Sequence, residues 1–132
     1  MMRALLTALA LLVPLAAQAA KWEKVGSVAG ADSYLDKSSI LKNDKGTRAW
    51  SLVSYTKEQT TPDGTPYLSM KALHLYSCKE RTTVLQMQVF YTEAMGKGEQ
   101  SRTYKYEKFD PEDVIPDSVA DGALQLICRG KK

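Results

Sequence analysis

The chain contains two cysteines, Cys78 and Cys128, which lie about fifty residues apart and outside any C-x-x-C motif. In an exported protein such a pair predicts a structural disulfide, because the compartment is oxidising. A redox-active pair is the alternative, and the wide spacing disfavours it. Closing a loop of about fifty residues would stabilise the fold by roughly 4 kcal/mol in the chain-entropy model. We therefore expect a cross-link between the middle of the chain and its C-terminal end.

The N-terminal residues have the three parts of a cleavable secretory signal. Residues 1–3 form a short positive start, 4–17 form an apolar run, and Ala17-Gln18-Ala19 supplies the small residues that a signal peptidase requires. The apolar run is too short for a permanent membrane helix, which is the alternative interpretation. We expect cleavage after Ala19, with cleavage after Ala20 as the alternative.

The expected domain organisation is a signal peptide over residues 1–19 and a single domain over 20–132. No cysteine lies near the cleavage position to accept a lipid, and no integral membrane segment is expected after cleavage. The formal charge of +3 for the whole chain is too small to mark a nucleic-acid interface, so no nucleic-acid partner is expected.

Most of the mature chain has the residue types and turn signals of β-strands. The predicted strands are Trp22–Val28, Ser33–Asp36, Arg48–Thr56, Tyr67–Cys78, Thr82–Tyr91 and Ser101–Tyr106. A turn is predicted at 43–46 and a hairpin connection at 79–81.

The C-terminal stretch changes to a helical period at Val119. Its apolar residues are Val119, Ala120, Ala123, Leu124, Ile127 and Cys128, and its polar stripe is Asp117, Asp121, Gln125 and Arg129. Asp117 or Ser118 is the expected N-cap, and Gly130 the expected C-terminal stop. Gly122 is expected to mark either close packing or a weak point.

Cys128 lies on the apolar stripe, so the disulfide would draw the helix onto the sheet face that carries Cys78, Tyr76 and His74. The expected fold class is α+β: an antiparallel β-sheet of about five to six strands, with a C-terminal helix tethered to one face by a disulfide. Leu73 and Leu75 fall on the opposite face. We expect that face to stay partly uncovered, as a candidate homodimer or ligand surface.

His74 is the only histidine, which excludes multi-histidine metal sites and leaves little material for acid–base catalysis. No nucleophile elbow, phosphate-binding loop or metalloprotease motif is present. We therefore expect no enzyme activity and no catalytic, cofactor or metal site. His74 is interpreted as a packed core residue, and a ligand role for it is the alternative.

Several short motifs recur in a recognisable order along the mature chain. They are Tyr34-Leu35-Asp36, Ser38-Ser39-Ile40, Arg48-Ala49-Trp50, Pro66 to Lys71, Cys78, Tyr91, Met95 to Gly98, Ile115 to Ser118 and Cys128. In this order the chain resembles the surface-adhesin protein E family of Gram-negative bacteria. The resemblance implies antiparallel strands with a disulfide-tethered C-terminal helix, and adhesion to host extracellular-matrix or serum proteins. It marks no binding residues in this sequence.

Together these observations predict an exported, non-enzymatic binding protein of the periplasm or cell surface, with a host matrix or envelope protein as partner. The alternative is a soluble periplasmic protein that binds a small hydrophobic or haem-like ligand near His74, or that inhibits an envelope hydrolase.

Overall fold

The structure is a computed structural model, and it describes residues 20–129. The predicted signal peptide at 1–19 and the predicted helix stop at Gly130 lie outside the described residues.

Within residues 20–129, eight strands form one antiparallel sheet. The strands are β1 (Trp22–Val28), β2 (Ala31–Asp36), β3 (Leu41–Asn43), β4 (Gly46–Thr60), β5 (Pro66–Ser77), β6 (Thr82–Tyr91), β7 (Gln100–Lys105) and β8 (Glu112–Asp113). The main path runs β1-β2-β4-β5-β6-β7, while β3 pairs with β4 and β8 pairs with β6. Short 3₁₀ turns occur at Lys37–Ser39 and Ala94–Gly96. The predicted fold class is confirmed.

The predicted turn at 43–46 is present and connects β3 to β4, although β3 is not among the predicted strands. Gly46 has φ of 145°, and a Cβ there would lie 2.7 Å from the carbonyl oxygen of Tyr76. Only glycine meets both demands. β4 is longer than its predicted span, because pairing with β5 resumes at Gln59 and Thr60 after an irregularity. Sequence pattern alone did not reveal that pairing, since this end of β4 is polar.

The helix α1 (Val119–Cys128) begins at the predicted cap, where Ser118 Oγ accepts a hydrogen bond from the Asp121 N–H (3.1 Å). Its buried residues join the sheet in the core cluster Leu35, Ala49, Tyr76, Val114, Ala123, Leu124 and Ile127. Gly122 lies against β1, and a Cβ there would be 2.4 Å from the carbonyl oxygen of Val25. The expected close packing at Gly122 is therefore confirmed.

The disulfide joins Cys78, directly after β5, to Cys128 at the end of α1, with the two Cα atoms 5.8 Å apart. This confirms that the cross-link holds the helix on the sheet.

The sheet face opposite the helix has a half-open cleft, but Leu73 and Leu75 do not form its open part. These two leucines are only 8% and 7% exposed. Long side chains on the neighbouring strands flank them: Leu73 pairs with Trp50 and Met87 in the sheet. Because these two leucines are buried, they do not support the homodimer that was expected at this face.

The helical period predicts Asp121 on the polar stripe of the helix, which would normally face solvent. In the structure this residue is only 4% exposed. It accepts hydrogen bonds from Arg81 Nη2 (2.8 Å), the Asp117 N–H (2.9 Å) and Gln125 Nε2 (3.1 Å). The backbone bond from Asp117, followed by the Arg81 guanidinium, lowers the pKa of the Asp121 carboxyl. Burial is tolerated here because the charge is paired and hydrogen-bonded.

Candidate functional site

A partly open cavity of about 160 Å³ lies between the sheet and the N-terminal half of α1. Met70, Ala72 and His74 of β5 line its sheet side. Val119, Ala120 and Ala123 line its helix side. Alternation along β5 places His74 on the same face as Tyr76, which packs in the helix–sheet core. The predicted position of His74 on the helix-facing side is therefore confirmed.

Small side chains account for the cavity. Ala72, Ala120 and Ala123 line it where larger apolar residues would close the gap, and Ser51 adds a further short side chain. The disulfide holds the opposite end of α1, at Cys128, to the sheet. The helix is thus held in place while space remains beneath its first turns.

His74 lines this cavity. Its Nδ1 atom is buried and makes no hydrogen bond to any residue of 20–129. Burial lowers the pKa of the imidazole to about 4, so the ring is neutral at neutral pH. The neighbouring Tyr76 ring lies 5.8 Å away, and burial raises the pKa of its hydroxyl to about 12. Both rings are therefore uncharged hydrogen-bonding groups.

The alternative role of His74, as a metal ligand, would require further ligand side chains close to it. Within residues 20–129, no group of three or more histidine, cysteine, aspartate or glutamate side chains is placed to hold a metal ion. A lone neutral imidazole beside apolar walls is suited to hydrogen bonding.

A second candidate surface is the outer edge of β7. In the described chain β7 pairs only with β6. The Tyr106 N–H donates to the Gln86 carbonyl (3.0 Å), so even-numbered residues of this segment direct their backbone groups toward β6. Thr103 and Lys105 consequently direct theirs outward, and both residues are exposed.

The loop at residues 61–65 braces this edge. Asp63 forms an ion pair with Arg102 and accepts a hydrogen bond from the Tyr104 hydroxyl (3.2 Å). The Thr61 hydroxyl donates to the same carboxylate, and with these neighbours it lowers the Asp63 pKa to about 2. Tyr104 also packs edge-to-face on Phe90, with ring centroids 5.7 Å apart. The edge strand is therefore held in a defined position.

A third feature, on the sheet face opposite the helix, is a half-open cleft of about 320 Å³. The Lys71 ammonium lies 4.9 Å from the centre of the Tyr91 ring and 5.8 Å from that of Trp22. Trp50 also lines the cleft. These residues are far apart in sequence, and only the strand register brings them together, so no sequence signal marked this cleft.

Within residues 20–129, no helix has the length and apolar character needed to cross a membrane.

Comparison with known proteins gives one family and one recurring fold. The family model for surface-adhesin protein E matches residues 22–129. No curated protein matches the chain.

Solved structures of Haemophilus influenzae protein E share the fold, among them the following three. Haemophilus influenzae protein E aligns at 18% identity and a TM-score of 0.56, covering 81% of this chain and 92% of that one. Its selenomethionine form aligns at 17% and 0.58, covering 84% and 95%. Protein E from non-typeable Haemophilus influenzae aligns at 18% and 0.53, covering 82% and 84%. At these identities the structures show a common fold, while the family model spans nearly all the described residues. The chain belongs to the surface-adhesin protein E family.

Proposed function

We propose that the protein is an exported, non-enzymatic adhesin that binds host extracellular-matrix or serum proteins at the bacterial surface. The observation that carries the proposal is the family match over residues 22–129. The open edge of β7 supports it, because such an edge offers a physical means of holding a protein partner.

We propose strand addition at β7 as the mode of binding. An extended segment of the partner would pair with the outward backbone groups of Thr103 and Lys105, extending the sheet by one strand. Main-chain hydrogen bonds would supply affinity, and exposed side chains along β7 would supply selectivity. Pairing with β6 holds β7 extended before binding, and the contacts of Asp63 with Arg102 and Tyr104 add to this, which reduces the ordering cost.

The test uses two substitutions at one residue. Thr103→Pro removes an N–H that points away from β6, which an edge strand tolerates. Thr103→Val changes the side chain and keeps the N–H, so it is the matched control. Surface plasmon resonance against purified matrix and serum proteins should show saturable binding by the unmodified protein. Binding should fall about tenfold or more for Thr103→Pro, and little for Thr103→Val.

Two results would count against these proposals. Absence of saturable binding to every matrix and serum protein would reject the adhesin function. Equal binding by the proline and valine variants would reject the edge of β7 as the contact. Protease accessibility on intact and permeabilised cells addresses location separately, since cleavage on intact cells is expected only for a surface protein.

A second candidate function, binding of a small hydrophobic ligand in the periplasm, is favoured by the cavity at His74.

A further inference from the structure

We propose that the cavity at His74 is a binding site for a neutral, single-ring aromatic compound that carries a hydroxyl group, such as a phenol. The inference makes the second candidate function specific and rests on the cavity alone, so it holds whether or not the protein is an adhesin.

Size is the first argument. The cavity measures about 160 Å³. A protein cavity of about 150 Å³ lined by apolar side chains binds benzene. The volume at His74 therefore suits one aromatic ring. A porphyrin consists of four pyrrole rings joined by methine bridges, so the haem-like ligand expected from the sequence is too large to be enclosed in this volume.

Charge is the second argument. The lining residues include no lysine, arginine, aspartate or glutamate. A carboxylate or phosphate would lose its hydration there without gaining a counter-charge, and an ammonium group would meet the same penalty. The His74 ring is itself neutral, since burial holds its pKa near 4. The cavity therefore selects against ions and favours an uncharged ligand.

Hydrogen bonding is the third argument. The His74 ring lines the cavity, and its buried Nδ1 has no hydrogen-bond partner among residues 20–129. A buried polar group without a partner costs free energy, and a ligand hydroxyl that this nitrogen meets after a small turn of the ring would recover that cost. A neutral imidazole has one donor and one acceptor nitrogen, and a phenolic hydroxyl can act in either role. The imidazole therefore distinguishes a hydroxylated ring from a plain hydrocarbon.

The alternative explanation is an empty packing gap left by the small residues of α1 and β5. Such a gap lowers stability roughly in proportion to its volume. It would accept hydrocarbons weakly, with no preference for a hydroxyl group. The two explanations differ in ligand preference and in their response to substitution at His74.

The experiment is calorimetric titration of the purified exported protein with phenol, toluene and benzoate. We expect saturable binding of phenol, binding of toluene weaker by about fivefold for the loss of one hydrogen bond, and no binding of benzoate. His74→Leu should bind toluene as well as the unmodified protein does, and it should lose the preference for phenol.

A second pair of variants tests the location. Ala120 lines the cavity from the helix, and it is an exposed residue at the open part of the cavity. Ala120→Leu should fill the cavity and weaken phenol binding by at least tenfold. Ala94→Leu makes the same change in an exposed turn outside the cavity and should leave phenol binding unchanged.

Absence of phenol binding would overturn the proposal, as would unchanged binding in Ala120→Leu. A phenol preference that persists in His74→Leu would overturn the role of the imidazole. Matrix binding by Ala120→Leu, measured in parallel, should be normal, so failure of this site is distinguishable from failure of the adhesin function.

Discussion

At the scale of single residues, His74 links burial to acid sensitivity. Its pKa is about 4 in the folded protein, against an ordinary value of about 6.5. Between these two values the unfolded chain binds a proton at this residue and the folded chain does not. Stability must therefore decrease as the pH falls from 6.5 to 4.

We predict that His74 contributes a loss of about 3 kcal/mol over this interval. The measurement is urea denaturation at several pH values for the unmodified protein and for His74→Leu. The leucine variant should be nearly flat between pH 6.5 and 4. Equal slopes for the two proteins would contradict the assignment.

Three aspartates with a lowered pKa affect stability in a separate and more acidic pH range. Asp32, Asp63 and Asp121 have carboxyl groups whose folded pKa lies below the ordinary value. Their contribution is present above that ordinary value, near pH 4, and is lost only as the pH falls further. Stability should therefore fall over two pH ranges, and only the decrease between pH 6.5 and 4 should depend on His74.

Gly122 is a residue at which helix propensity and packing oppose each other. Alanine would favour the helix by about 1 kcal/mol. However, the Cβ of an alanine at position 122 would lie 2.4 Å from the Val25 carbonyl oxygen, which belongs to the backbone of β1. We predict that Gly122→Ala destabilises the fold by about 1–3 kcal/mol, the usual cost of overpacking.

The matched control is Arg129→Ala, at the exposed residue that ends the same helix. Urea denaturation should show a much smaller change for this variant. A stabilised Gly122→Ala protein would mean that the helix can move away from β1 without cost.

At the scale of elements, the features that could be predicted from the sequence are those that depend on the local pattern of residues. The bounds of β1 and β6, the N-cap Ser118 and the pairing of Cys78 with Cys128 all agree with the structure. Alternation, helical periodicity and capping are read within a few residues, so a single sequence contains them.

Other features depend on partners that are distant in sequence. The burial of Asp121 requires Arg81 of the β5–β6 connection, and the far end of β4 requires β5. His74 could be assigned to the helix-facing side of β5, while the cavity beside it depends on how far α1 stands from the sheet. The helical pattern of the sequence shows which face of α1 meets the sheet. It does not show how far the helix stands from the sheet.

At the scale of the whole molecule, the disulfide is the link that holds the C-terminal helix to the sheet. Cys78 and Cys128 close a loop with a sequence separation of 50. We predict that Cys78→Ser combined with Cys128→Ser lowers the free energy of unfolding by about 4 kcal/mol, chiefly because the unfolded chain gains freedom.

Denaturation of the double serine variant, compared with the oxidised and chemically reduced parent, measures this loss. The reduced parent should resemble the variant, which controls for the change of side chain. Equal stability of all three would mean that packing of α1 alone holds the helix in place.

The order of the sheet has a consequence for how the molecule forms. Along the main path β1-β2-β4-β5-β6-β7, neighbouring strands follow one another closely in the chain. Contacts between nearby segments form quickly, and contacts between distant segments form slowly. The sheet can therefore assemble one hairpin at a time, while the contact between α1 and β1 joins the two ends of the chain and must come last. An exported chain also emerges across the membrane from its N-terminal side, so the residues of α1 are among the last to arrive. Until they do, Leu35 and Tyr76 remain uncovered on an otherwise complete sheet, and this interval is when the exported chain is most exposed to aggregation.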